Sequence, residues 1–281
     1  MFEDITKIVI MSDMDGTLLN SEKKITEKDR QAIEKFVSLG GKFTVSTGRT
    51  LESFEQYRKM LDLRIPVIMY NGGIIYDYQT EKILYAEYLP DSARKITSEL
   101  LEAMPSTGGE ILKTDRTYVF RNNYYQQRHT DICGISPVYA DLQEITDDGW
   151  LKVLFAMSPE EIPVMEEIIA GKDYKEVDFV KSSEIFIEML PHNISKGSAV
   201  GEYRKLSGME DCTFIAIGDF DNDREMIQTA DIGVCPANAQ ESVKAVADIV
   251  LENTNNTGAV SELIEYVIEK CNEKNGKKTV K

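Results

Sequence analysis

The chain has 281 residues, 42% of them apolar and 28% charged, a globular composition that excludes disordered and collagen-like classes. Lys and Arg number 32 against 48 Asp and Glu, so the net charge is −16. That balance speaks against nucleic acid and anionic membranes as partners, and an anionic substrate then needs a local cation or a metal.

No apolar run is long enough to span a bilayer, and Met1-Phe2-Glu3-Asp4 lacks the basic start of a secretory signal. Cys133, Cys212, Cys235 and Cys271 are scattered and read as buried free thiols. A reducing, cytoplasmic location is expected, and no obligate protein partner is implied.

From the start of the chain, Lys7–Met11 is a short apolar run that stops at Ser12-Asp13-Met14-Asp15-Gly16, the pattern of a buried strand entering a polar loop. Thr26 suits a helix cap, Ile33, Phe36 and Val37 follow at helical spacing, and Gly40-Gly41 ends the helix. Lys42–Ser46 reads as a second strand ending at Thr47-Gly48-Arg49. A polar helical stretch leads to Pro66, and Val67–Tyr70 is a third strand ending at Asn71-Gly72-Gly73. Alternation of this kind predicts parallel strands with right-handed crossovers.

Between Leu84 and Ile187 the pattern changes. A helix from Asp91 carries Ile96, Leu100 and Met104. Strands are expected at Thr117–Arg121 and Trp150–Met157, a helix opens at Ser158-Pro159-Glu160-Glu161, and Glu176–Met189 reads as two strands. The first pattern then resumes with strands at Thr213–Ile217, Asp231–Val234 and Asp248–Leu251. A helix is expected over Asn238–Ala247, with Asn238 as cap and Glu241 three residues on. Val260, Leu263, Ile264, Val267, Ile268 and Cys271 make the apolar stripe of a last helix, with a frayed tail expected from Asn272 to Lys281.

Three polar segments stand at the carboxyl ends of expected core strands, where open parallel sheets bind ligands: Asp13–Thr17, Ser46–Arg49 and Gly218–Asp223. A fourth, Asn193-Ile194-Ser195-Lys196-Gly197, lies where the chain returns to the first pattern. Crowded carboxylates repel one another, and a divalent cation resolves the conflict. Mg²⁺ takes oxygen ligands, so Asp13, Asp219 and a backbone carbonyl of Asp15 are candidate donors. Asp13 can then attack phosphorus, Asp15 can serve the leaving oxygen and the water in turn, and Thr47 and Lys196 can hold the remaining phosphate oxygens.

The four segments, in this order, resemble the haloacid dehalogenase superfamily of aspartate-nucleophile phosphohydrolases, and most of all its Cof-like (type IIB) sugar-phosphatase branch. The motifs are Asp-x-Asp-Gly-Thr, Thr-Gly-Arg, Ser-Lys-Gly and Gly-Asp-x-x-Asn-Asp; Asn71-Gly72-Gly73 looks like that branch's turn into its cap. Met14 and Phe220-Asp221 depart from the commoner residues, in variable slots. The resemblance implies an α/β fold: a doubly wound, mostly parallel Rossmann-like core over residues 1–84 and 188–281, with an inserted α/β cap domain over 85–187. It implies Asp13 as nucleophile, Asp15 as acid and base, and Thr47 with the Gly48 amide as phosphate binders. Lys196 is implied as charge stabiliser, Asp219 as metal ligand, Asn222 as phosphate or substrate contact, and Asp223 as the residue orienting a water on the metal. The implied activity is Mg²⁺-dependent hydrolysis of a small phosphorylated metabolite through an aspartyl-phosphate.

Other readings stand beside these. Asp219, Asp221 and Asp223 imitate a Ca²⁺ loop, but Arg224 and Ala230 occupy positions that need Gly and Glu. Arg49 reads as a helix-capping surface ion pair, with substrate contact as the alternative. His129 and His192 read as structural, and Tyr118, Phe120, Tyr124, Tyr125 and Trp150 mostly as core. Arg121 and Arg128 read as a solvated face. Phosphoryl transfer to an acceptor other than water, as in a phosphomutase, and a non-catalytic ligand-binding protein are the competing functions. Hexose and other sugar phosphates, flavin mononucleotide and pyridoxal phosphate are the substrate candidates.

Overall fold

The computed structural model describes residues 2–278. In the first third, strands β1 (Ile8–Ser12), β2 (Lys42–Val45), β3 (Val67–Met69), β4 (Ile74–Asp77) and β5 (Lys82–Ala86) occur with helices α1 (Glu27–Ser38) and α2 (Leu51–Arg58). The middle holds β6 (Gly108–Leu112), β7 (Thr117–Arg121), β8 (Val138–Tyr139), β9 (Lys152–Ala156), β10 (Val177–Ser183) and β11 (Phe186–Pro191), with α3 (Ala93–Ala103), α4 (Tyr124–Cys133) and α5 (Ile162–Ala170). The last part holds β12 (Thr213–Ile217), β13 (Ile232–Cys235) and β14 (Ile249–Val250), with α6 (Lys196–Ser207), α7 (Arg224–Thr229), α8 (Glu241–Lys244) and α9 (Ala259–Lys278).

The fold is α/β with a Rossmann-like core. One sheet has the order β14-β13-β12-β1-β2 and is parallel throughout. Alternate residues of β1 show why it is doubly wound. Ile8 and Ile10 pack with Ile33 and Phe36 of α1 and with Leu263 and Val267 of α9. Val9 and Met11 pack with Val200 and Tyr203 of α6 and Met226 of α7. Burial on both faces explains the unbroken apolar runs that marked these strands.

A second sheet, β10-β11-β9-β6-β7-β8, is antiparallel except at its β7–β8 edge. Ile111, Val153 and Phe155 face its own helices, whereas Leu112, Leu154 and Ala156 join the cluster that holds β1. The second sheet therefore lies with one face against the first part of the molecule. A third sheet, β3-β4-β5, is antiparallel, and a parallel bridge from Ser46 to Ile68 attaches it beside β2.

Thr26 caps α1 as expected, its hydroxyl accepting from Asp29 N at 3.1 Å. Asn238 does not cap a helix. α8 is four residues long and follows Gln240, while Asn238 binds elsewhere. α9 is helical through Lys278, and 279–281 of the stretch expected to fray lie outside the described residues. Tyr124 is exposed rather than core. The four cysteines are buried and free. Among the described residues no helix is long and apolar enough to cross a membrane.

Candidate active site

The register of the parallel sheet brings the strand-end loops together. Ser12 stands opposite Ile217 on one side and Val45 on the other. Asp13 N donates to Ile217 O at 2.8 Å, Ser46 N to Ser12 O at 2.9 Å and Thr47 N to Ile68 O at 2.9 Å. The loops after β1, β2, β3 and β12 thus share one end of the sheet. Lys196 reaches the same end as the first residue of α6, whose N-cap Ser195 exchanges hydrogen bonds with Ser198 in a capping box.

At the centre the Lys196 ammonium, 1% exposed, donates to Asp13 Oδ1 and to Asp223 Oδ1, each at 2.6 Å. Asp219 Oδ1 accepts from Thr17 Oγ1 at 2.7 Å. Asp223 Oδ2 accepts from the Asp219 and Phe220 amides at 3.0 and 3.1 Å. Asp13, Asp219 and Asp223 each offer a carboxylate oxygen, and these lie within 4.8 Å of one another. Gly16, at φ +94°, leaves room for this: a Cβ there would come 2.3 Å from Asp219 Oδ2.

Burial and the neighbouring Asp223 push the Asp13 carboxyl well above its ordinary 3.8, with Lys196 opposing. Burial and Asp223 push Asp219 up to about 7. Burial alone would lower the Lys196 ammonium, but Asp13 and Asp223 hold it above the ordinary lysine value. One ammonium balances one of three carboxylates. The donors are all hard oxygens, with no thiol or imidazole among them, so the set fits a hard divalent cation. Asp223, read from sequence as a supporting residue, belongs to the converging set. The Asp15 carboxylate does not.

Asp15 instead faces Arg49, which donates through Nε at 2.7 Å and Nη2 at 2.9 Å, and Lys23 at 2.8 Å. Burial alone would raise this carboxyl, but the two cations hold it well below the usual carboxylate range. Arg49 is 6% exposed and lies over the Tyr57 ring, so the surface ion pair expected of it is replaced by a two-pronged fork from a buried guanidinium to a half-exposed Asp15. Thr47 is buried, and its hydroxyl accepts from Arg49 N at 3.2 Å. Gly48 faces Asn71, and Asn71 Oδ1 accepts from Asn222 Nδ2 at 3.1 Å. Asn238, with its carboxamide on the Gly16 carbonyl at 2.8 Å, holds the first loop from outside.

Sequence reasoning read Asn238 only as a helix cap and passed over Lys23, Lys152 and Glu188. The last two left a signal: each is a charged residue inside an apolar strand. A cavity of about 380 Å³ opens beside the site, bounded by Asn71, Lys196 and Asn222 and, from the second sheet, by Phe179, Val180 and Leu190. His192 stays at the surface, 3.1 Å from Asp178. Arg121 turns to the Leu101 and Pro105 carbonyls rather than to solvent.

The family described as haloacid dehalogenase-like hydrolase matches residues 10–264. This chain belongs to that family. As a haloacid dehalogenase-like hydrolase it is an enzyme of phosphoric monoester hydrolysis. The 5-amino-6-(5-phospho-D-ribitylamino)uracil phosphatase YcsE of Bacillus subtilis (strain 168) is 28% identical over 273 residues, covering 95% of this chain and 98% of its own. The pyridoxal phosphate phosphatase YbhA of Escherichia coli (strain K12) is 25% identical over 272 residues, covering 92% and 98%. The crystal structure of a haloacid dehalogenase-like hydrolase from Bacteroides thetaiotaomicron superposes with a TM-score of 0.80 at 25% identity, covering 92% of this chain and 98% of that one.

Proposed function

We propose that this hydrolase cleaves small phosphate monoesters through an aspartyl-phosphate on Asp13, with Mg²⁺ held by Asp13, Asp219 and the Asp15 carbonyl and supported by Asp223. The observation that carries the reading is the clustering of three carboxylates, two of them on one buried ammonium, at the carboxyl ends of β1 and β12. When bound, Mg²⁺ would draw charge from the phosphate and keep Asp13 ionised.

The residues then divide the work. An Asp13 carboxylate oxygen attacks phosphorus as the bond to the leaving oxygen breaks, and that oxygen takes a proton from Asp15. Water then attacks the aspartyl-phosphate, gives its proton to Asp15, and frees Asp13 with inorganic phosphate. Lys196, the Thr47 hydroxyl, the Gly48 amide and Asn222 hold the phosphate oxygens on which charge gathers. The resting Asp15, paired with Arg49 and Lys23, is an ionised acceptor suited to the second half. To serve the first half it must leave those cations and gain a proton.

Residues 85–187 are the proposed cap and would read the leaving group. A sugar phosphate or a phosphorylated cofactor is the substrate class we favour, supported by what YcsE and YbhA are named for and by a cavity large enough for a small metabolite. The test is inorganic phosphate release from a panel of phosphorylated sugars and cofactors, with Mg²⁺ and with chelator. Release from a few of them, lost with chelator, is expected; chelator-resistant release would remove the metal from the reading.

A further inference from the structure

The loop after β2 is restrained from outside the sheet that carries it. Lys152 on β9 is 2% exposed, and its ammonium donates to the Gly48 carbonyl at 2.8 Å. The same ammonium lies 2.9 Å from Glu188 Oε2 on β11, also buried. Glu188 Oε2 accepts from Asn71 Nδ2, and its Oε1 accepts from Ser182 at 2.8 Å. Asn71 continues the chain through its Oδ1, which accepts from Asn222. Five polar groups therefore run in series: Gly48, Lys152, Glu188, Asn71, Asn222. Three of them stand after β2, β3 and β12, the strands that deliver the site.

Gly48 needs such a restraint. A Cβ there would come 2.9 Å from Asn71 Oδ1, so glycine is what fits beside that carboxamide without displacing it, and glycine leaves the backbone free to turn. Desolvating an ion pair is costly, and apolar residues of similar volume would join the two sheets as well or better. A buried pair that touches the backbone of one strand-end loop and the side chain of the next is placed for positioning. We propose that Lys152 and Glu188 are positioning residues of the phosphate site, contributed by the second sheet: they set the backbone at Gly48 and the Asn71–Asn222 pair in the orientation that receives phosphate. This rests on the reading of Thr47 and Gly48 as phosphate binders.

The test compares inhibition by orthovanadate in three folded variants. Lys152→Met/Glu188→Gln leaves no buried charge unpaired, and it is read against the unsubstituted enzyme and Glu188→Gln alone. The double variant is expected to raise the vanadate inhibition constant about tenfold over that of the unsubstituted enzyme, with the single variant between the two. It is expected to lower kcat/KM about 100-fold through misplacement of the loop, with the Mg²⁺ activation midpoint unmoved. An inhibition constant in the double variant equal to that of the unsubstituted enzyme overturns the proposal, whatever happens to the melting temperature. Should the double variant not fold, Lys152→Gln in the Glu188→Gln background is read in the same way. Thr47→Ala separates the two levels. A raised constant there with no change in the double variant removes Lys152 and Glu188 alone, whereas an unchanged constant in Thr47→Ala removes the phosphate-binding reading and this inference with it.

Discussion

Asp219, like Asp13, sits in electrostatic tension with its neighbours. Its folded value near 7 stands above the ordinary 3.8, so in the metal-free protein the folded state holds the proton that the unfolded chain releases. Stability contributed by the protonated form is therefore lost as pH rises from about 4 through 7. A bound cation removes that loss by favouring the carboxylate. The thermal midpoint should accordingly rise more on adding Mg²⁺ at pH 8 than at pH 6; differential scanning calorimetry at both values checks it, and an equal rise would place the cation elsewhere. Gly16 tests the same spot sterically. Gly16→Ala puts a methyl group against the Asp219 carboxylate in a left-handed conformation, which costs about 1–3 kcal/mol of stability. Weakened Mg²⁺ activation should accompany a lowered midpoint in that variant, as titration of activity with Mg²⁺ would reveal.

Among the elements, those with apolar periodicity were legible in the residues and those stabilised by other means were not. α1 announced itself through Thr26 and the stripe of Ile33, Phe36 and Val37. α4 did not, because its buried face is Gln126, Thr130 and Cys133, with no apolar stripe to read. β6 begins Gly108-Gly109-Glu110, a poor strand pattern, because a Cβ at either glycine would meet Asn123 or Phe120. The β4–β5 hairpin turns through Tyr78-Gln79-Thr80-Glu81 with Glu81 at φ +56°, and lacks the Asn-Gly or Asp-Gly that would have marked it. β6 and α4 are joined by Glu110 and His129, whose Oε1 and Nδ1 lie 2.8 Å apart as an ion pair rather than an aligned hydrogen bond. Burial alone would lower His129, but Glu110 holds it well above 6.5; burial alone would raise Glu110, but His129 holds it below 4.5. The pair thus stabilises fully between those ordinary values. It weakens as pH falls through the lowered Glu110 value or rises through the raised His129 value. His129→Gln should therefore cost more stability at pH 6 than at pH 9, measured by urea unfolding at each. Thr26→Ala should cost about 1 kcal/mol with kcat unchanged, since it loses only a helix cap far from Asp13.

At the scale of the whole molecule, a chain of net charge −16 gathers a small set of cations where the strands end. Lys196, Arg49, Lys23 and Lys152 each pair with a carboxylate there. The order of the four motifs already pointed to a phosphohydrolase, because Asp13, Thr47, Lys196 and Asp219 sit at strand or helix ends that hydrophobic patterning locates. Partnerships across the chain were not readable. Lys152 meets Gly48 only because β9 lies in a second sheet folded over the first, and no local pattern encodes that distance of 104 residues. The most direct test is a rapid quench of a single turnover, followed by mass analysis of the peptide that contains Asp13. A phosphoryl adduct on Asp13 that forms and decays with turnover, and is absent in Asp13→Asn together with activity, is the expected result. Phosphate release with no adduct, or undiminished in Asp13→Asn, would contradict the aspartyl-phosphate pathway.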